Sequence, residues 1–137
     1  MVVDHISCGA VVFFSYKDTP LYLLIQNVDG KHWDFPKGTV IGKETEIQTA
    51  LREIKEETGI NAEIIHGFRE EIVYEHKPGC TKKVILFLAS SSTMQVVLEQ
   101  KEILDSVWLR YRDAKELLTH DNVKKVLEKA HNFLLQS

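Results

Sequence analysis

The chain has 137 residues, which suits one domain, and 44% of them are hydrophobic, enough to bury a core without staples. The formal net charge of −3 gives no chain-wide basic surface, so DNA is not an expected partner, while a small anion needs only a local positive patch. The longest apolar runs, Gly9 to Phe14 and Val84 to Ala89, are too short to span a bilayer, and Met1 to His5 lacks the charged-then-apolar pattern of a leader, so a cytoplasmic address is expected.

Residues 1–137 contain no repeat and no low-complexity linker and read as a single domain. Cys8 to Ser15 is apolar and β-branched, a buried strand. Asp18-Thr19-Pro20 is a turn signal, Leu21 to Gln26 a second strand, and Asp29-Gly30 the next turn. Trp33-Asp34-Phe35 is extended ahead of Pro36, which biases Phe35 away from helix. The strongest helix follows. Thr45 with Gln48 makes a capping box, Gly59 closes the last turn, and Ile47, Ala50, Leu51 and Ile54 form a core-facing stripe. Ala62 to Tyr74 and Lys83 to Ser90 are two longer strands, with Lys77-Pro78-Gly79 in the loop between them. Val96 to Leu98 and Ser106 to Leu109 read as short strands, and Arg112 to Leu118 and Asn122 to Leu135 as helices. Trp33 and Trp108 are expected to pack in the core. Strands mixed with a few helices imply a mixed sheet covered by helices.

Cys8 and Cys80 fall in no motif and read as free thiols of a reducing compartment. The six histidines are scattered, with no pair at metal-ligand spacing, which argues against a histidine-based zinc site. The chemistry lies elsewhere. Glu53, Glu56 and Glu57 sit at i, i+3 and i+4, so they share one helix face. Like charges so placed weaken a helix by roughly a few tenths of a kcal/mol each. Alone they read as a solvated acidic face. Their surroundings change that reading. Arg52 can hold a carboxylate through its planar fork, Glu44 stands just before the helix, and Lys37, Gly38 and Gly42 supply a loop suited to an anion. A hard cation such as Mg²⁺ prefers this oxygen-rich setting and binds carboxylates together with substrate phosphates.

From Gly38 to Ile60 the chain reads Gly38, five residues, Glu44, seven residues, then Arg52-Glu53-Ile54-Lys55-Glu56-Glu57-Thr58-Gly59-Ile60. This stretch, 38–60, resembles the Nudix box, G-x5-E-x7-R-E-U-x-E-E-x-G-U with U apolar, at every fixed position. The resemblance implies the Nudix fold, an α/β/α sandwich around a mixed β-sheet, and metal-dependent hydrolysis of a pyrophosphate bond in a nucleotide. It implies that Glu53, Glu56 and Glu57, with the Gly38 carbonyl, hold Mg²⁺ or Mn²⁺, that Arg52 orients a glutamate, and that Glu44 supports the set through water or a salt bridge. Water attack on phosphorus then needs no serine or cysteine nucleophile.

Beyond the box, His32-Trp33-Asp34-Phe35-Pro36-Lys37-Gly38, Gly67 to Tyr74, Lys83 to Ala89, Trp108 and the end near Phe133-Leu134 resemble the asymmetric diadenosine tetraphosphate hydrolases. That subgroup implies cleavage of diadenosine tetraphosphate to ATP and AMP. It places Lys37 and His32 on phosphate, Tyr74 on adenine, and Lys82 or Lys83 on the far phosphates, strand alternation letting only one of the two lysines do so. Glu102 matches a family glutamate that approaches the metals from outside the box, and Glu99 competes for that place. The loop from Glu75 to Thr81 carries one residue more than those relatives, and of two base-clamping aromatics only Tyr74 is placed. The alternative substrates are triphosphate-ended RNA, removed of pyrophosphate, and nucleoside triphosphates; a nucleotide-sensing module is the non-enzymatic alternative. A monomer or weak dimer acting on a small nucleotide, away from membranes, completes the expectation.

Overall fold

The computed structural model describes residues 5–136; Met1 to Asp4, most of the segment read as lacking a leader, lie outside the described residues. The elements run β1 (His5–Tyr16), β2 (Thr19–Asn27), β3 (Trp33–Asp34), β4 (Lys37–Thr39), α1 (Glu46–Thr58), β5 (Glu63–Lys77), β6 (Cys80–Ser90), β7 (Ile103–Leu109), α2 (Tyr111–Leu117) and α3 (Asp121–Leu135). The described strands form one seven-stranded sheet in the order β3-β2-β1-β6-β5, with β4 on β1 and β7 on β2. The β1–β6 pair is parallel and the others are antiparallel, so the sheet is mixed.

Strand alternation sorts the core into two layers. Cys8, Ala10, Val12, Leu23, Ile85 and Phe87 face α1, where Ala50 and Ile54 meet them. Val11, Tyr22, Leu24, Val84, Leu86 and Leu88 face Ala114 of α2 and Val123, Val126, Leu127 and Ala130 of α3. This is the α/β/α sandwich. Among the described residues no helix is long and apolar enough to cross a membrane. Trp33 and Trp108 pack at the edges of the two layers, half-buried; the Trp108 indole N–H donates to the Met94 carbonyl at 3.0 Å.

Local signals hold at α1. Thr45 and Gln48 form both hydrogen bonds of the capping box, and Gly59 ends the helix in the left-handed conformation at φ 76°. Four expectations need correction. The first turn is Lys17-Asp18, at φ 49° and 66°, and Thr19 and Pro20 already belong to β2. Positive φ at both central residues matches the twist of a two-residue hairpin. The pair next to such a turn exchanges the ladder bonds, so Pro20, one step on, points its nitrogen away from β1. Val96 to Leu98 forms no strand, because its backbone binds the end of α1 instead. Lys37 to Thr39, read as loop, pairs with β1. The β5–β6 hairpin runs on to Pro78-Gly79, with a bulge at His76, since Glu75 lies opposite Thr81 and Lys77 opposite Cys80. Cys8 and Cys80 are free thiols.

Candidate functional site

Strand β4 and the loop after it lay the segment from Lys37 to Glu44 against α1. Gly38 is paired with Cys8, and a Cβ built on it would lie 2.1 Å from Glu53 Cδ. The glycine is thus required for close approach, and the Glu53 carboxylate rests on bare backbone. Glu57 points inward, 5% exposed, and its Oε1 accepts the Lys37 amide at 3.2 Å. Glu56 is the outermost of the three, with 56% of its side chain exposed.

Arg52 organises this acidic face. Its Nε and Nη2 grip both oxygens of Glu44 at 2.7 and 3.0 Å, a bidentate pair. Nη1 donates to Glu53 Oε1 at 2.7 Å and Glu56 Oε2 at 3.1 Å, and Nη2 reaches the Thr39 carbonyl at 2.9 Å. Glu44 also accepts the Ile41 amide and the Thr49 hydroxyl, so it ties the loop to the helix. The Arg52 hydrogen bonds, helped by the Ile41 amide, pull the Glu44 carboxyl down to about 2. Glu57 is pushed the other way, to about 8, by burial first and then by the neighbouring charge of Glu53, with Glu102 adding to it. Burial likewise raises Glu53, against the opposing pull of Arg52.

These residues suit a divalent cation. The donors are all oxygen, two of the carboxylates are partly or wholly withdrawn from water, and the charge of Glu53 raises Glu57 while those of Glu56 and Glu102 raise Glu53, so a hard cation among them would relieve a standing repulsion. Among the described residues no three ligand-type side chains already converge on one point, Glu53 and Glu56 being held by Arg52. Of the two loop glutamates, Glu102 is the one whose charge bears on Glu53 and Glu57, whereas the Glu99 carboxylate accepts the amides of Lys101 and Glu102.

Beside this face, on the α3 side of the sheet, opens a cavity of about 480 Å³. Asp34, Lys37, Tyr74, His32 and His120 line it, over a floor of Ile72, Val84 and Leu86. Lys37 Nζ lies 2.9 Å from Asp34 Oδ2. Burial opposes the Lys37 charge, but the Asp34 carboxylate more than offsets it, and the ammonium is held above its ordinary range. Lys82 stands directly across the ladder from Tyr74, and burial and the Lys37 charge lower its pKa. Lys83 points to the opposite face, where its ammonium is bound to Glu71 at 3.3 Å, so strand alternation places the two lysines on opposite sides of the sheet.

Two lining residues escape a reading of the sequence. Asp34 is a buried carboxylate, 6% exposed, whose only sequence signal is its i, i+3 spacing to Lys37. His120, just ahead of α3, stacks on His32 with ring centroids 4.9 Å apart and 29° between planes. Nothing local announces that contact, which joins residues far apart in the chain.

The NUDIX domain model matches residues 5–130. The asymmetrical bis(5'-nucleosyl)-tetraphosphatase of Mus musculus is 36% identical over 93% of this chain and 94% of its own. That of Sus scrofa is 37% identical with the same coverage. Among solved structures, a C. elegans Ap4A hydrolase binary complex matches with a TM-score of 0.90 at 30% identity, covering 97% of this chain and 99% of that one.

Proposed function

Because this chain belongs to the Nudix family, we propose that it hydrolyses diadenosine tetraphosphate asymmetrically, to ATP and AMP, with Mg²⁺ or Mn²⁺. One observation carries the reading. Lys37 joins the two halves of the site, its backbone amide on the buried carboxylate of Glu57 and its ammonium lining the cavity. A phosphate chain that meets this lysine is therefore delivered to the acidic face.

Each residue then has a task. Glu53, Glu56 and Glu57, with the Gly38 carbonyl, hold the cation, and Arg52 and Glu44 keep Glu53 and Glu56 aimed. The cation supplies polarisation of the phosphoryl oxygens and activation of water. Glu102 approaches from outside the box, and its charge already bears on Glu53 and Glu57. Lys37 and Lys82 neutralise the phosphate chain as point charges. Tyr74 offers an adenine a ring face, worth ~1–3 kcal/mol, and the His32–His120 stack stands in the same cavity. Water attacks phosphorus in line, the anhydride P–O bond breaks, and the leaving phosphate takes the electron pair. The chain is read as acting in the cytoplasm, as a monomer or weak dimer, on a free nucleotide.

The test is direct. Purified protein is incubated with diadenosine tetraphosphate and Mg²⁺, and products are separated by ion exchange, with EDTA and Glu57→Gln controls. Equal ATP and AMP, abolished by both controls, is the expected result. ADP alone would mean symmetric cleavage and defeat the reading. No product would transfer the proposal to triphosphate-ended RNA or nucleoside triphosphates. Equal trace turnover in wild type and Glu57→Gln would leave a binding module.

A further inference from the structure

The segment between β6 and β7 runs past the end of α1. A helix end leaves its last carbonyls without partners inside the helix. Here the segment takes two of them: the Val97 amide donates to the Thr58 carbonyl at 2.9 Å and the Glu99 amide to the Glu57 carbonyl at 3.2 Å. Glu99 is thereby fastened to the residue that carries the buried carboxylate. The chain must then reverse to bring Glu102 back toward the acidic face, and Glu99 builds the reversal. Its Oε1 accepts the Lys101 amide at 3.2 Å and its Oε2 the Glu102 amide at 2.8 Å. Its carbonyl accepts the Ile103 amide at 2.9 Å, and the Glu102 carbonyl accepts the Val28 amide at 2.8 Å. Both oxygens of one carboxylate are thus spent on consecutive amides, a charge-assisted clamp.

We propose that Glu99 is a positioning residue: by clamping the Lys101 and Glu102 amides while tied to the Glu57 carbonyl, it sets where the Glu102 side chain meets the cation site. The proposal rests on the role given to Glu102 above. Glu102 is otherwise exposed on a loop, and an exposed glutamate loses much rotamer freedom when ordered. Fixing its backbone reduces what must be ordered when the cation arrives. Supporting residues of this kind change metal affinity or activity by roughly 10- to 100-fold when removed.

The experiment is a double-mutant cycle on the full chain, read by Mn²⁺ affinity from the free-ion EPR signal and separately by kcat and KM. Glu99→Ala and Glu102→Ala are each expected to weaken Mn²⁺ binding and lower kcat by about tenfold or more, with KM changing less. In the Glu102→Ala background, Glu99→Ala is expected to add less than about twofold, because nothing is left to position. Glu99→Gln, which keeps one acceptor oxygen, falls between wild type and Glu99→Ala. Thermal unfolding identifies a variant that fails to fold, and Glu99→Gln then carries the cycle. Losses that multiply would overturn the positioning role and leave Glu102 intact. A silent Glu102→Ala beside a damaging Glu99→Ala would overturn both assignments. Wild-type behaviour of Glu99→Ala beside a damaging Glu102→Ala would overturn the positioning role alone.

Discussion

The Glu53 carboxylate occupies the space in which a side chain on Gly38 would have to begin, 2.1 Å from the first carbon of any such side chain. Real contacts never approach so closely, so Gly38→Ala must move either the carboxylate or β4. The φ of Gly38 is not in the left-handed region, and the effect is therefore steric contact rather than backbone strain. Gly38→Ala is expected to lower kcat by roughly 10- to 100-fold and to weaken Mn²⁺ binding, with the fold retained by circular dichroism. Wild-type Mn²⁺ affinity in this variant would show that the contact does not matter.

Arg52 makes five polar contacts from one planar group, to Glu44 twice, to Glu53, to Glu56 and to the Thr39 carbonyl. Lysine keeps the charge but is a single point with three donors and cannot reproduce the fork. Arg52→Lys should therefore lose turnover by about tenfold or more, although the net charge is unchanged. Kinetics on Arg52→Lys and Arg52→Ala decide the matter: equal activity of Arg52→Lys and wild type would reduce the arginine to a simple counter-charge.

Lys82 and Lys83 are neighbours in sequence with opposite prospects. Lys82 shares the cavity side with Tyr74, and Lys83 is engaged by Glu71 on the α1 side. Lys82→Met is expected to raise KM by about tenfold, the value of one charged hydrogen bond, with kcat less affected. Lys83→Met is expected to leave KM within about twofold, since it removes only a partly exposed ion pair on the face away from the cavity. The reverse ranking in steady-state kinetics would assign the phosphate contact to Lys83 and overturn the role given to Lys82.

That pair also shows where sequence stops being informative. Alternation along β6 predicts that only one lysine can serve, but which one depends on the face that α3 covers, a tertiary fact. The α1 helix was legible because its signals are local: the Thr45–Gln48 box, the stripe ending at Ile54 and the left-handed Gly59 all act within a few residues. The acidic face was legible for the same reason. The Lys17-Asp18 turn was not, because both residues sit at positive φ without being glycine, while the neighbouring proline drew attention one step too far. Asp34 and His120 gain their roles only through partners brought in by folding. The segment at Val97 looked like a strand because it is apolar and β-branched. It is used instead to satisfy the end of α1.

Tyr22 is fully buried, and its hydroxyl lies 2.7 Å from Nδ1 of His131, which is stacked on Tyr111 with ring centroids 4.1 Å apart. If the hydroxyl donates, His131 carries its proton on Nε2, and protonating Nδ1 would remove the acceptor. Burial lowers the His131 pKa in the folded chain. The unfolded chain therefore takes up the proton first, so this contribution to stability is present above the ordinary histidine pKa of about 6.5 and is lost as pH falls through the folded value. Denaturant unfolding of wild type and His131→Gln between pH 8 and pH 5 should show a steeper decline for wild type below about pH 6.5. Tyr22→Phe should cost about 1 kcal/mol at neutral pH. Parallel pH curves for wild type and His131→Gln would mean that another group governs acid stability.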